Sequence, residues 1–442
     1  MCNLKLYSYG DNYKLYQGNM LDMLDVIEPN SIDAIVTDPP YELNFMNKNW
    51  DNSGIAFQKE AWKKCLKVLK PGGYLLAFGG SRTHHRIMCA IEDAGFEIRD
   101  MICWIFGAGF PKSMNIGLAI DKKTGIESTV IGQSDFPDIR NSNYENNDGT
   151  RIVVQQKQAQ NKWEGWGTQL KPAYESITVA RKPCEGSCVD NVLKYGVGGI
   201  NIDECRVPHS EPVETMHRHT DKGNNVTMRT FSDAETDCIA SPNAQGRFPA
   251  NVILTYDETD QEEVCGGMPY TKSTGGSGET SKRSTLGNFE GGWKHEKDCV
   301  HLGGLGDEGS AARYFYCAKA SKRDRDEGLP EGEHNIHPTV KNTMLMQYLV
   351  RLVTPKGGTI LDPFNGSGST GKAAMYENKD RNAGYKYIGI ELTPEYLPIA
   401  DARIRFALGD NTPVEYSAMV SNKTTLKSGK SSGQISLFDE NT

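Results

Sequence analysis

Ile32-Asp33-Ala34-Ile35-Val36-Thr37-Asp38-Pro39-Pro40-Tyr41 is the stretch from which the architecture is read. Residues 32–37 form a short, largely apolar run, the signature of a buried strand, which ends at Asp38 and two prolines. Downstream, residues 57–69 carry apolar side chains at 57, 61, 62, 65, 66, 68 and 69, a helical period. Lys70-Pro71-Gly72-Gly73 stops that helix, and 74–78 reads as a second buried strand. A helix over 83–94 and a strand over 98–106 follow. Strands alternating with helices predict a parallel α/β sheet. In such sheets ligands bind beyond the carboxyl ends of the strands, which is where Asp38 stands.

The residue types at 38–41 suit one kind of chemistry. An exocyclic amino nitrogen on a nucleobase is a poor nucleophile, because its lone pair is delocalised into the ring. Two acceptors on its two N–H groups would hold it and draw it toward tetrahedral geometry. The Asp38 carboxylate is one candidate acceptor and the Pro39 carbonyl the other, with Pro39 and Pro40 stiffening that carbonyl's direction. Tyr41 offers a flat face for an extruded base. A proline turn that merely caps a strand would carry the same tetrapeptide.

A second landmark is Ile360-Leu361-Asp362-Pro363-Phe364-Asn365-Gly366-Ser367-Gly368-Ser369-Thr370-Gly371. It follows a helical stripe over 343–353, a Pro355-Lys356-Gly357-Gly358 break and a strand over 359–361. Its glycines let the backbone approach a ligand. Three readings stand side by side. Gly366, Gly368 and Gly371 fit a dinucleotide fingerprint, with Glu391 ending a later strand in position to bind ribose hydroxyls. Gly366, Gly371 and Lys372 approach a P-loop, but Ala373 lacks the hydroxyl that would bind magnesium. An S-adenosylmethionine site asks for the same glycine turn and the same acid.

Between the landmarks, residues 107–170 and 185–310 are rich in Gly, Asn, Ser, Asp and Thr, and 273–292 reads as a mobile loop. A strand over 175–181 separates them. After Thr393-Pro394, an N-cap and first-turn proline, a helix is expected to about 408, followed by a polar tail over 410–442. A net charge of −8 argues against indiscriminate nucleic-acid binding, although Lys319, Lys322, Arg323 and Arg325, and separately Arg181 and Lys182, form basic clusters. No signal peptide or membrane run is evident, so a cytoplasmic location is expected. Cys184 and Cys188, with Cys205, would be half of a metal site with no second half, and no metal is expected.

Together the landmarks resemble the amino-methylating DNA methyltransferases, and their order, D-P-P-Y before D-P-F-x-G-S-G, is similar to the circularly permuted β class. Tyr16 to Leu21, Lys70 to Gly73, Phe315 to Ser321, His337 to Lys341 and Tyr387 to Leu392 extend the resemblance. It implies a Rossmann-like, S-adenosylmethionine-dependent sheet that is circularly permuted, with an inserted loop-rich target-recognition region. The expected layout is a first catalytic half at 1–106, an insertion at 107–170 and a catalytic hairpin at 171–184. A target-recognition region follows at 185–310, then the second catalytic half at 311–409 and the tail. Phe364, Gly366, Ser367 and Gly368 would cradle the cofactor, with Asp362 near its amino-acid end and Glu391 on its ribose. Asn19, where the family often has aspartate, would face its adenine. Asn342 stands where proline usually follows the lysine, which loosens that turn and leaves the role of Lys341 open.

The resemblance implies double-stranded DNA as partner and, from aspartate rather than serine at position 38, N6 of adenine as target, with N4 of cytosine as alternative. Neither a metal nor a cysteine nucleophile is needed. A homodimer is compatible, and the recognition sequence and any restriction partner are left open. Gln434-Ile435-Ser436-Leu437-Phe438 resembles peptides that bind the bacterial sliding clamp.

Overall fold

In a computed structural model of the chain, the described residues are 5–43, 49–107, 113–134, 154–208, 216–218, 238–240, 246–256, 268, 270–272, 308–319 and 321–410. The expected loop at 273–292, the tail beyond 410 and the segment Gln434 to Phe438 lie outside them. Contacts divide the chain into two units, residues 1–107 with 174–442, and residues 108–173.

The larger unit is built on a ten-stranded sheet. In chain order its first strands are β1 (Lys5–Gly10), β2 (Tyr13–Gln17), β3 (Ile32–Thr37), β4 (Leu69–Gly79) and β5 (Glu97–Phe106). The smaller unit contributes a separate hairpin, β6 (Thr129–Ser134) and β7 (Val154–Gln158). Then come β8 (Tyr174–Arg181), the short pair β9 (Met216–Arg218) and β10 (Cys238–Ala240), and β11 (Val252–Tyr256). A second short pair, β12 (Tyr270–Lys272) and β13 (Glu308–Ser310), precedes β14 (Tyr316–Lys319), β15 (Thr359–Asp362) and β16 (Lys386–Glu391).

The sheet order is β1-β2-β16-β15-β3-β4-β8-β5-β11-β14. Its pairs are parallel except β1 with β2 and both contacts of β8. Because side chains alternate across a strand, each strand feeds both faces. Val36, Leu76, Ile360 and Tyr387 join one core with helices Thr343–Val353, Ser369–Arg381 and Leu397–Leu408. Ile35, Leu75, Leu361 and Ile388 join the other with helices Met20–Val26, Lys59–Val68 and His84–Asp93. This is a Rossmann-like, doubly wound sheet. It is circularly permuted, because β3 to β5 precede in sequence the strands β15 and β16 that lie beside β3 on its other flank.

Several local expectations need correction. Lys70-Pro71-Gly72-Gly73 does not lie outside the strand. β4 runs through it with a register shift against β3, held by amide exchange between Gly72, Gly73 and Lys182. The region 185–310 is not uniformly irregular. It contains a helix, Cys188–Tyr195, closed by a Ser187–Asp190 capping box, and β11, which sits inside the main sheet between β5 and β14. The region 107–170 likewise contains a helix, Ile116–Thr124, capped by Asn115 and ended at Gly125 in the left-handed conformation (φ 76°), besides its hairpin. Thr393 makes no side-chain cap. The chain passes through a short 3-10 turn, Pro394–Tyr396, before Leu397–Leu408. Among the described residues no helix is long and apolar enough to cross a membrane.

Candidate active site

Asp38 and Asp362 come together through topology. From β3 the chain winds to β4 on one side, and from β15 it winds to β16 on the other. The crevice beyond the carboxyl ends of neighbouring β15 and β3 is therefore the switch point of the sheet, where ligands bind in this architecture. Asp362 ends β15, and Asp38 is the first residue after β3. The Thr37 hydroxyl donates to Asp362 Oδ1 at 2.6 Å, tying the two landmarks across the crevice.

The glycine turn is fastened from below. Asp362 Oδ2 accepts from the Thr370 hydroxyl (2.7 Å) and Oδ1 also from the Phe364 amide (3.1 Å). Burial pushes the Asp362 carboxyl up to about 6, against the pull of those donors. Glu391 accepts from the Gly366 and Thr393 amides, 2.7 Å each, and burial lifts it to about 7. Tyr387 donates to Asn365 Oδ1 (2.7 Å), and Arg403 donates to the carbonyl and hydroxyl of Ser367 (2.8 and 3.2 Å). Ser367 is thus buried with its side chain engaged, and any ligand contact from it falls to its backbone.

Gly366 (φ 52°) and Gly368 (φ 75°) occupy the left-handed region, where glycine is favoured. A Cβ on Gly368 would meet Ala400 Cα at 2.9 Å, so that glycine serves helix packing. A Cβ on Gly366 would meet the His337 ring at 3.0 Å. His337 is held neutral, its pKa lowered to about 3 by burial first and then by Lys341, Arg325 and Arg403. Phe364 and Gly366 are the half-exposed members of the turn. Asn19 lies one strand further along. β2 pairs with β16 through Gln17 and Glu391, and exposed Asn19 caps the following helix by accepting from the Leu21 amide at 2.9 Å.

Lys372 does not serve a phosphate loop. Its ammonium is fully buried and bound to Asp324 (2.7 Å) and Glu327 (3.0 Å).

The Asp38 corner is built differently. Lys341 donates to Asp38 Oδ2 at 2.6 Å and lies 3.6 Å from Glu175 Oε2, which accepts from the Tyr41 hydroxyl at 2.7 Å. The Lys341 ammonium sits 5.3 Å from the Tyr41 ring centroid and 5.0 Å from that of Phe78, within cation–π range. Asp38 Oδ1 is buried and makes no hydrogen bond. Burial raises the Asp38 carboxyl above its usual range, and Lys341 opposes that shift. Burial and the neighbouring acids push the Tyr41 hydroxyl well up, so it stays protonated.

Lys341 and Glu175 belong to this corner, yet in the sequence Glu175 is only a charge at the start of a buried strand. The turn at Asn342 is not loosened. Its side chain accepts from the Leu345 amide (3.0 Å) and caps helix Thr343–Val353. The basic clusters are partly structural. Arg325 binds the carbonyls of Asn335 and His337, Arg181 pairs with Glu97, and Lys182 binds two carbonyls and Asn30. Cys184 and Cys188 have sulfurs 4.0 Å apart, Cys205 is buried in the main core, and no metal-ligating group of three is found among the described residues.

A family model described as DNA methylase matches residues 32–402. The type II methyltransferase M.HindIII of Haemophilus influenzae is 22% identical over 270 residues, 49% of this chain and 77% of that protein. M2.LlaDCHI of Lactococcus lactis subsp. cremoris is 40% identical over 120 residues, 23% of this chain and 44% of that protein. M.HpaI of Haemophilus parainfluenzae is 33% identical over 106 residues, 23% of this chain and 34% of that protein. With the latter two the match spans less than half of the relative's length. Among solved structures, the cytosine-N4-specific PvuII DNA methyltransferase covers 91% of this chain and 90% of its own at 13% identity and a TM-score of 0.42. The M1.HpyAVI–SAM complex covers 89% and 99% at 16% and 0.34.

Proposed function

The chain belongs to the N6/N4 DNA methylase family, and on that premise we propose that it methylates N6 of adenine at a specific sequence in double-stranded DNA. Its methyl donor is S-adenosylmethionine, which when bound supplies a methyl group already activated on a sulfonium. The residues present fit that group. The turn leaves Phe364 and Gly366 half-exposed beside the acid ending β16, and an adjacent strand ends at a carboxylate with one unpartnered oxygen. Phe364, Gly366 and the backbone of Ser367 and Gly368 would hold its methionine and ribose portions. Asp362 would act from beneath the amino-acid end, Glu391 on the ribose hydroxyls and Asn19 on the adenine.

The observation that carries the proposal is Asp38, with Oδ2 fixed and Oδ1 buried without a donor. An unmet buried acceptor costs about 1–3 kcal/mol, and a flipped adenine amino group would meet it. The Pro39 carbonyl accepts the second N–H, its direction stiffened by the Pro39-Pro40 pair. Tyr41 stacks on the extruded base. Asp38 Oδ1, already bonded to an amino hydrogen, is placed to receive the proton the nitrogen sheds on gaining its methyl. Rate comes mainly from this alignment. Residues 185–310 carry sequence readout, with β11 as their anchorage in the sheet. The test is to treat unmethylated duplex DNA with labelled S-adenosylmethionine and digest it to nucleosides. N6-methyladenine is expected, and N4-methylcytosine overturns the choice of base.

A further inference from the structure

The Lys341–Asp38 contact is a poor stabilising device. A buried ion pair gains little over apolar packing, and this one leaves half of the carboxylate unmet. The scaffold shows what a stabilising pair looks like. Between helices Thr343–Val353 and Ser369–Arg381, the Arg351 guanidinium takes both oxygens of Glu377, each at 2.9 Å. Lysine is a point donor where arginine is a fork, so at position 341 it occupies one oxygen and leaves the other. Lys341 is itself steered. Glu175 stands 3.6 Å from its ammonium, Tyr41 holds Glu175 by a 2.7 Å hydrogen bond, and the rings of Tyr41 and Phe78 flank the charge. These groups come from four separate parts of the chain and converge on a single carboxylate.

We propose that Lys341, oriented by Glu175, is a positioning residue that turns Asp38 so that Oδ1 faces the target amino group and keeps it ionised there. The inference rests on the assignment of Asp38 as the amino-group acceptor. The charged and titratable groups facing Asp38 are Lys341, Glu175 and Tyr41, with Asp362 across on β15 and neutral His337 beyond Lys341. Lys341 lowers the Asp38 pKa and Glu175 raises it, so removing each should move the acid limb of the rate profile in opposite directions. A purely structural role predicts no such opposition.

The experiment measures single-turnover methylation of unmethylated genomic DNA by the full chain across about pH 5 to about pH 9. Lys341→Met should lower the neutral rate roughly tenfold to a hundredfold and move the acid limb up by roughly one to three units. Glu175→Gln should cost a few-fold in rate and move the limb down. S-adenosylmethionine affinity, read by calorimetry, should stay near the parent's in both. Acid limbs that stay with the parent's in both variants overturn the inference. If Lys341→Met fails to fold, Glu175→Gln decides alone, a downward move supporting and an unmoved limb overturning. Asp38→Ala separates this result from failure of the underlying assignment. An active Asp38→Ala enzyme removes the assignment itself, whereas an inactive one with unmoved limbs removes only the role of Lys341.

Discussion

Asp362 and Asp38 end neighbouring strands at one edge of one sheet, yet they are treated in opposite ways. Asp362 is saturated, with two threonine hydroxyls and a backbone amide on its two oxygens. Glu391, on the far side of β15, is likewise engaged at both oxygens by amides. Asp38 has one oxygen clamped by an ammonium and the other buried without a donor. A carboxylate that shapes a loop has its acceptors filled from within the protein. One that acts on a substrate keeps an acceptor back, at a cost in stability. On the proposed function, the difference separates the groups that build the floor of the pocket from the one assigned to meet the base.

The comparison breaks most visibly at Asp38. Asp38→Ala should lower single-turnover methylation by about a hundredfold to a thousandfold, the range seen when one preorganised polar partner of a reacting group is lost. It removes an unmet buried oxygen but also the nearest partner of the buried Lys341 ammonium, which keeps Glu175 at 3.6 Å, so its melting temperature should fall while S-adenosylmethionine still binds. Loss of S-adenosylmethionine binding along with methylation would instead make Asp38 another floor residue.

Asp362→Ala should do the reverse. It strands the Thr37 hydroxyl and the Phe364 amide and leaves the Thr370 hydroxyl only its longer bond to the Val36 carbonyl (3.4 Å), and unmet buried donors cost about 1–3 kcal/mol. An unfolding free energy lowered by that amount, read as a lower urea midpoint, together with weakened cofactor binding, is the expected outcome. An unchanged midpoint would mean that the saturation of Asp362 does not hold the turn.

The same contrast explains what could be read from the chain directly. β3 is a short, largely apolar run followed at once by Asp38 and β15 one that ends in Asp362, and their local composition specifies both strand and carboxyl terminus. The turn at Gly366 and Gly368 is legible for a similar reason, since positive φ favours glycine. Other pieces depend on partners far away in sequence. Glu175 matters because Lys341 and Tyr41 reach it across 166 and 134 positions, and no local pattern encodes that meeting. β11 was hidden because five residues with a polar flank carry too weak a period to stand out from the region around them. Gly368 could be read as a ligand-approach glycine, but only the packing of helix Leu397–Leu408 shows that Ala400 needs the space.

A milder test addresses Glu391. Burial raises its carboxyl to about 7, so the proton is still largely held at slightly acid pH. Ribose hydroxyls donate to the ionised form and would favour it, so binding should release a proton. The raised pKa lies in the free enzyme, and affinity is therefore lost as pH falls through about 7 and is fully present above it. S-adenosylmethionine affinity should rise about tenfold from about pH 6 to about pH 8 by proton linkage, and Glu391→Gln should flatten that rise. A slope equal in parent and variant would assign the titration to the ligand or to another group.

The smallest expected effect sharpens the boundary between floor and ligand at Asn19. Its Oδ1 accepts from the Leu21 amide and caps helix Met20–Val26, so Asn19→Ala should cost about 1 kcal/mol of stability through the lost cap alone. Asn19→Ser keeps an N-cap acceptor but shortens the side chain and removes its amide. If Asn19 also binds the cofactor's adenine, the serine variant should melt with the parent yet bind S-adenosylmethionine a few-fold more weakly, by about 1 kcal/mol or less. If it is only a cap, serine should match the parent in both measurements. Asn19 would then join Asp362 as a residue whose polar atoms are committed to the protein itself, and the cofactor's adenine would have to be recognised by other groups along that edge.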